Sequence, residues 1–267
     1  MKKRSRAQEH SDADVGDYYE DPARAEGLAR LYEAATPLGE FYRERMRLVA
    51  GLLEDVEGTL LDAGCGTGQM IRFLGAERSG RFDFTGVDRS ASMIRVARRL
   101  VADDDSPPHF HVARIEEMPL ADATFDVVLV MGSLEYVAGV DQALAEIARV
   151  VRPGGLAIVT MGNPWSPYRL WDATVWSRLR RLRGAVESPV VQRLGERQLR
   201  RALVRVGLGP SSLIRYGFNL CPAALDSRFP GLAVRQQRVL EPVLRGPLRR
   251  LATDFLIVAH RIERVGA

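Results

Sequence analysis

Between Thr59 and Met161 the chain alternates short apolar runs with amphipathic stretches. The runs Thr59–Ala63, Phe82–Val87, His109–Ala113, Phe125–Met131 and Leu156–Met161 predict strands buried on both faces. Between them, Gly68–Ala76, Ser90–Val101 and Val140–Val151 carry apolar residues at helical spacing. Ile94, Ala97 and Val101 share one helix face, Ser90 stands where an N-cap belongs, and Pro153-Gly154-Gly155 stops the last helix. Strands alternating with helices predict an α/β domain with a parallel sheet covered on both sides.

The flanks have a different rhythm. Tyr18 to Leu53 reads as helical with a break at Thr36-Pro37, whereas residues 1–16 are polar and are expected to be disordered. Past residue 161 come a basic, aromatic-rich segment over Trp165–Arg183 and a helix over Arg193–Val206 ended by Gly207. A strand over Ser212–Phe218, an interrupted helix over Gln236–Leu251 and a closing strand over Thr253–His260 follow. The expected organisation is a disordered start (1–16), a helical N-terminal lid (17–57) and a core (58–267) with a helical insertion at about 163–190.

Composition changes this picture in two places. Residues 1–150 carry 18 basic against 27 acidic side chains, a net of −9, and residues 151–267 carry 20 against 7, a net of +13. A basic second half attracts anionic substrates, membrane surfaces or nucleic acid. However, 36 of the 38 basic residues are arginine, so a single arginine is weak evidence for a role. Two cysteines, Cys65 and Cys221, give neither a disulfide framework nor a metal cluster, and no metal is expected. The basic start is followed by no apolar run, and no stretch approaches the roughly 18 apolar residues of a spanning helix. The expected location is cytoplasmic.

The chemistry is concentrated in Leu60-Leu61-Asp62-Ala63-Gly64-Cys65-Gly66-Thr67-Gly68. A strand, a glycine-rich turn and a helix together form a nucleotide-type loop, in which the backbone can approach a ligand and the helix directs N–H groups at it. The dinucleotide fingerprint needs a further glycine where Gln69 stands. Asp62 lies just before the loop, where a carboxylate would repel a pyrophosphate but pair with an ammonium such as that of S-adenosylmethionine. Asp88 ends the second strand, where an acid accepts from ribose hydroxyls.

LLDAGCGTG, GVDRS, IEEMPLADATFDVVLVMGSLEYV and VVRPGG together resemble the core motifs of class I, Rossmann-like S-adenosylmethionine-dependent methyltransferases, in particular small-molecule enzymes of the ubiquinone and biotin pathways. The resemblance implies a seven-stranded, mostly parallel sheet in the order 3-2-1-4-5-7-6 with strand 7 antiparallel. It implies S-adenosylmethionine as cofactor, held around Asp62, Ala63, Gly64, Gly66, Gly68, Asp88, Arg89 and Met131. Tyr19 and Tyr32 resemble lid tyrosines that close over the methionine end. Where relatives place an acid for the adenine amine this chain has Arg114, so the Ile115 backbone N–H and the Glu116 carboxylate are the expected adenine contacts.

Methyl transfer is an in-line displacement whose leaving group needs no proton, so positioning dominates and a base is optional. Glu135, Tyr136, His111, Tyr216 and His260 are candidate bases, and none is assigned as catalytic. Met131-Gly132-Ser133-Leu134-Glu135-Tyr136 follows strand 4, where enzymes acting on nucleic-acid bases carry other motifs, so nucleic acid is disfavoured. Trp165, Tyr168, Trp171 and Trp176 interleaved with arginines suit a lid over an apolar substrate or a peripheral membrane contact through 165–183. The expected acceptor is a small, apolar or lipophilic molecule. The alternatives are methylation of RNA or protein, or a non-catalytic cofactor-binding protein.

Overall fold

The structure, a computed structural model, describes residues 15–78, 80–102, 106–171, 192–218 and 246–262. A helical turn at residues 15–20 leads through Asp21 into α1 (Pro22–Glu33) and, after Thr36, α2 (Pro37–Leu52). Both helices begin with proline at the first turn and a side-chain cap: Asp21 accepts from the Ala23 N–H and Thr36 from the Gly39 N–H. Val15 is fully buried, so order begins inside the stretch expected to be disordered, of which residues 1–14 lie outside the described residues.

The core alternates β1 (Gly58–Ala63), α3 (Gln69–Glu77), β2 (Phe82–Asp88), α4 (Ala91–Leu100), β3 (His109–Val112) and β4 (Phe125–Val130). It continues with α5 (Val140–Val150), β5 (Val151–Gly162), the short α6 (Pro167–Trp171), α7 (Glu196–Arg205), β6 (Leu208–Tyr216) and β7 (Asp254–Arg261). The strands form one sheet in the order β3-β2-β1-β4-β5-β7-β6. Pairings from β3 to β5 are parallel, and β7 is antiparallel to both β5 and β6. This is the topology implied by the motifs.

Successive residues of the central strands face opposite layers, which is why these runs are apolar throughout. From β4, Val128 and Val130 join Leu144 and Ile147 of α5 and Leu199 and Leu203 of α7. Val127 and Leu129 join Phe41, Met46 and Val49 of α2 and Leu74 of α3 on the other face. Helix α2 is thus built into the core, while α1 packs Ala25 and Ala29 on Met93 and Val96 of α4.

Three boundaries move from the pattern-based reading. Strand β5 begins at Val151 rather than Leu156, because Phe125 pairs with Val151 and Val127 with Leu156, and the Pro-Gly-Gly stretch bulges between them. The bulge is held by an Arg152–Asp126 ion pair. Strand β6 begins at Leu208, directly after Gly207, and it tolerates Pro210 because it lies at the sheet edge. Helix α7 begins at Glu196 rather than Arg193. Of the expected helix over 236–251, only a 3-10 stretch, Gly246–Leu251, falls within the described residues. Of the expected insertion, residues 172–190 fall outside them.

Ser90 caps α4 by accepting from the Met93 N–H at 3.1 Å, and it donates to the Tyr19 carbonyl at 2.8 Å. Ser90→Ala removes both bonds. The expected loss is about 1–2 kcal/mol, read from urea denaturation followed by circular dichroism.

Candidate active site

At the C-terminal ends of β1 and β4 the chain leaves the sheet in opposite directions, which opens a crevice between the two strands. The glycine loop turns there through left-handed backbone, with φ of 81° at Gly64 and 53° at Gly66. A Cβ on Gly64 would lie 2.3 Å from the Ser133 Cβ, so the loop packs against the segment after β4 only because position 64 is glycine. The segments converge on a cavity of about 290 Å³.

Ten of the twelve expected cofactor contacts line this cavity: Tyr19, Tyr32, Asp62, Gly64, Gly66, Asp88, Arg89, Ile115, Glu116 and Met131. Ala63 is fully buried behind the loop, and Gly68 is the left-handed N-cap of α3; neither belongs to the lining.

Asp62 is 2% exposed, makes no ion pair among the described residues, and leaves Oδ1 without a hydrogen-bond partner. Burial pushes its carboxyl up to about 7; Arg45 opposes this shift and the nearby Asp88 adds to it. An orphaned buried carboxylate oxygen on a cavity wall suits an ammonium group. Asp88 is differently placed. Its Oδ2 accepts from the Gly66 N–H at 2.8 Å and its Oδ1 from the Ser90 N–H at 2.9 Å, so it braces two loops. Burial raises its pKa and these two N–H groups oppose the rise. Each oxygen keeps a lone pair for a ribose hydroxyl. Arg114 donates to the Glu116 carboxylate at 2.7 Å, which fixes that buried acid beside Ile115 on the wall.

The candidate bases separate. Glu135 and Tyr136 line the cavity, but Glu135 accepts from the Gly162 N–H at 2.7 Å and pairs with Arg193 at 3.0 Å. Those bonds hold the carboxylate as structure. Tyr216 is buried in a stack on Phe41, with centroids 5.4 Å apart. His111 and His260 are not part of the lining.

Among the polar lining residues that the sequence reading had not singled out are Arg45, Tyr42 and Asp254; Arg169 was expected only as one arginine of the basic, aromatic-rich segment. Arg45 is 5% exposed on α2, donates to the Tyr32 hydroxyl at 3.2 Å, and lies over the Tyr42 ring at 5.0 Å. Tyr42 itself stacks on Tyr32 at 4.6 Å. The signal was present in the sequence: Phe41, Arg45 and Val49 recur at four-residue steps, which places a charge inside an apolar stripe. Arg169 donates to Asp254 at 2.9 Å and joins α6 to the start of β7. No short motif could have indicated that pair, since its members are 85 residues apart.

Residues 61–159 match the family model described as a methyltransferase domain. Together with the sheet order and the crevice, this match shows that residues 61–159 belong to a class I, Rossmann-like methyltransferase domain of the S-adenosylmethionine-dependent kind. Among curated proteins, a malonyl-[acyl-carrier protein] O-methyltransferase of Pseudescherichia vulneris is 35% identical over 148 residues, covering 54% of this chain and 56% of that one. A ubiquinone/menaquinone biosynthesis C-methyltransferase of Geotalea daltonii is 30% identical over 104 residues, 38% of this chain and 44% of that one. The chain thus spans about half the length of the curated relatives it matches. Among solved structures, the geranyl diphosphate C-methyltransferase of Streptomyces coelicolor superposes with a TM-score of 0.61 at 18% identity, covering 94% of this chain and 98% of that one. At that identity the likeness concerns the fold.

A pH dependence follows from Asp62. Unliganded, it is half protonated near pH 7, while a bound ammonium requires the carboxylate. Affinity for S-adenosylmethionine should therefore level off above pH 7 and weaken by up to about tenfold per pH unit below it. Calorimetry at pH 6 in buffers of different ionisation enthalpy should find close to one proton released per ligand bound. Asp62→Asn should remove both effects.

Proposed function

We propose that the protein transfers the methyl group of S-adenosylmethionine to a small, apolar or lipophilic molecule. The observation that carries this reading is the cavity itself. Its lining joins the glycine loop with Asp62 and Asp88 to the apolar and aromatic Leu38, Phe41, Tyr42 and Tyr168 and to the Arg169–Asp254 pair. A nucleoside-type subsite opening onto an aromatic one matches a donor site joined to an acceptor site.

When bound, the cofactor supplies a sulfonium methyl that an acceptor atom can take by in-line displacement. The chain's own groups hold and orient. Asp62 takes the ammonium and Asp88 the ribose hydroxyls, while the Ile115 backbone N–H and the Glu116 carboxylate take the adenine edge. Tyr19, set edge-on to Tyr136 at 5.4 Å, helps close the cavity against water. The Arg114–Glu116 ion pair keeps an acceptor group at the adenine end despite the arginine, which favours catalysis over a silent binding protein. Small-molecule acceptors also appear in the names of relatives, as with the ubiquinone/menaquinone enzyme.

The proposal includes peripheral contact with a membrane, with the protein working in the cytoplasm. Trp165 is 73% exposed, and Leu170 and Trp171 are exposed beside it. Asn163 donates to the carbonyls of Arg250 and Ala252, which ties the start of this segment to the 246–252 stretch, where Leu248, Arg249, Arg250 and Leu251 are exposed. An apolar rim with arginines, next to cavity-lining Tyr168 and Arg169, suits an anionic lipid surface. The remainder of the 165–183 segment, with Trp176, lies outside the described residues.

Calorimetry tests the donor. The wild type should bind S-adenosylmethionine and S-adenosylhomocysteine, and Gly66→Val, which forces a branched side chain to φ 53° against the ligand, should bind at least about tenfold more weakly. Absence of wild-type binding at millimolar ligand rejects the proposal. Incubation with methyl-labelled cofactor and a lipid-soluble metabolite extract should then give labelled product in the organic phase.

Co-sedimentation with phosphatidylglycerol vesicles tests the rim. Trp165→Glu/Trp171→Glu should pellet less than the wild type, and equal pelleting removes the membrane contact.

A further inference from the structure

Five carboxylates of the described residues line the cavity, and four of them are accounted for. Asp62, Asp88 and Glu116 serve the donor in the proposed function. Glu135 has both oxygens engaged, Oε1 by the Gly162 N–H at 2.7 Å and Oε2 by Arg193 at 3.0 Å. The fifth is Asp254, 4% exposed at the first position of β7. Its Oδ1 accepts from Arg169 at 2.9 Å, and among the described residues no hydrogen bond reaches its Oδ2.

The acid is rigidly held and stands apart from the donor groups. Asp254 is paired on both sides, with Gly162 of β5 and with Tyr216 of β6. From β1 to β7 the sheet passes through β4 and β5. Three steps of about 4.8 Å separate Asp254 from Asp62 by about 14 Å across the sheet alone. A Cβ on Gly162 would come within 3.0 Å of the Arg169 Nη2, so the missing side chain lets the guanidinium reach the acid. The charge on Asp254 is felt at Tyr42, which lines the cavity with Phe41 and Tyr168. The half-engaged acid thus stands beside an aromatic wall.

An ionised carboxylate can only accept hydrogen bonds, and a buried oxygen left without a donor is costly. A ligand in this part of the cavity must therefore bring a hydrogen to Oδ2 and an apolar body to the aromatic wall. A carboxylate would be repelled by Oδ2. A cationic amine would face Arg169 beside the acid, so an uncharged hydroxyl fits best.

We propose that the methyl acceptor is a hydroxylated aromatic molecule, and that Asp254 selects it by accepting a hydrogen bond from its hydroxyl at Oδ2. This rests on the proposed function and adds the acceptor's polar group and the residue that reads it. Arg169 is the positioning residue, which fixes the carboxylate through Oδ1. Where that hydroxyl is itself methylated, the bond also separates substrate from product. An O-methyl ether has no hydrogen to donate, so it loses the contact that held its precursor.

The test uses 2-naphthol and 2-methoxynaphthalene, which share a ring system and differ at the hydroxyl. Both are titrated by calorimetry into protein saturated with S-adenosylhomocysteine. The wild type should prefer 2-naphthol by on the order of tenfold. In Asp254→Asn the amide oxygen stays with Arg169 and the amide N–H group replaces Oδ2, so a donor faces the ligand and the preference should vanish. Affinity for S-adenosylhomocysteine should stay within about twofold, because the two sites are far apart. The inference is overturned if the loaded wild type binds both probes equally or neither, a result that needs no variant to fold. It is also overturned if Asp254→Asn keeps the preference, or if it weakens both probes or the S-adenosylhomocysteine itself, which leaves the acid a structural role. A wild type that does not bind S-adenosylhomocysteine rejects the proposed function as well; every other adverse result removes only the role of Asp254.

Discussion

A carboxylate at the end of a central strand, buried with no ion-pair partner among the described residues, is the constraint around which this molecule is arranged. Asp62 stands where β1 stops between β2 and β4. Its environment pushes the carboxyl up to about 7, so the unliganded protein carries a poorly solvated acid. Such a group is retained when a ligand completes it. The neighbouring features serve that completion. The loop after Asp62 runs through positive φ at Gly64 and Gly66, which keeps side chains out of the space beside the acid. Asp88 ties the loop to the start of α4, so the backbone is set before a ligand arrives.

The same placement explains why the site needs distant parts of the chain. A strand end exposes its last residue on one side only, and the walls must come from whatever packs over the crevice. Here α2 contributes Arg45, Phe41 and Tyr42, the segment after β4 contributes Ser133 and Glu135, and α6 with the start of β7 contributes Arg169 and Asp254. Two buried acids of the cavity wall are each matched by an arginine, Glu135 by Arg193 and Asp254 by Arg169. The structural arginines of the basic second half thus offset acids inside the fold. Arg249 and Arg250, by contrast, are exposed.

Much of the donor half was legible before any coordinates. Strand-length apolar runs gave the parallel sheet, and Asp62, Gly64, Gly66 and Asp88 fall where the spacing placed them. These features are local. A turn of positive φ, an N-cap such as Ser90 or a strand end is specified by residues within a few positions, so the pattern carries them. Boundaries failed where tertiary pairing overrode a local signal: Pro153-Gly154-Gly155 reads as a stop, yet pairing with β4 extends β5 across it as a bulge.

The chain by itself determined the class of fold, the loop, and the two acids that define what kind of ligand enters. Only the tertiary structure decided what faces them. Arg45 is one arginine among many in sequence and becomes distinct only when α2 buries it near Asp62 with no ion-pair partner among the described residues. Arg114, which in sequence is a departure from the motif, becomes in space the group that fixes Glu116. The reason is physical. A side chain's chemistry is set by its dielectric surroundings and its partners, and both are assembled from segments far apart along the chain.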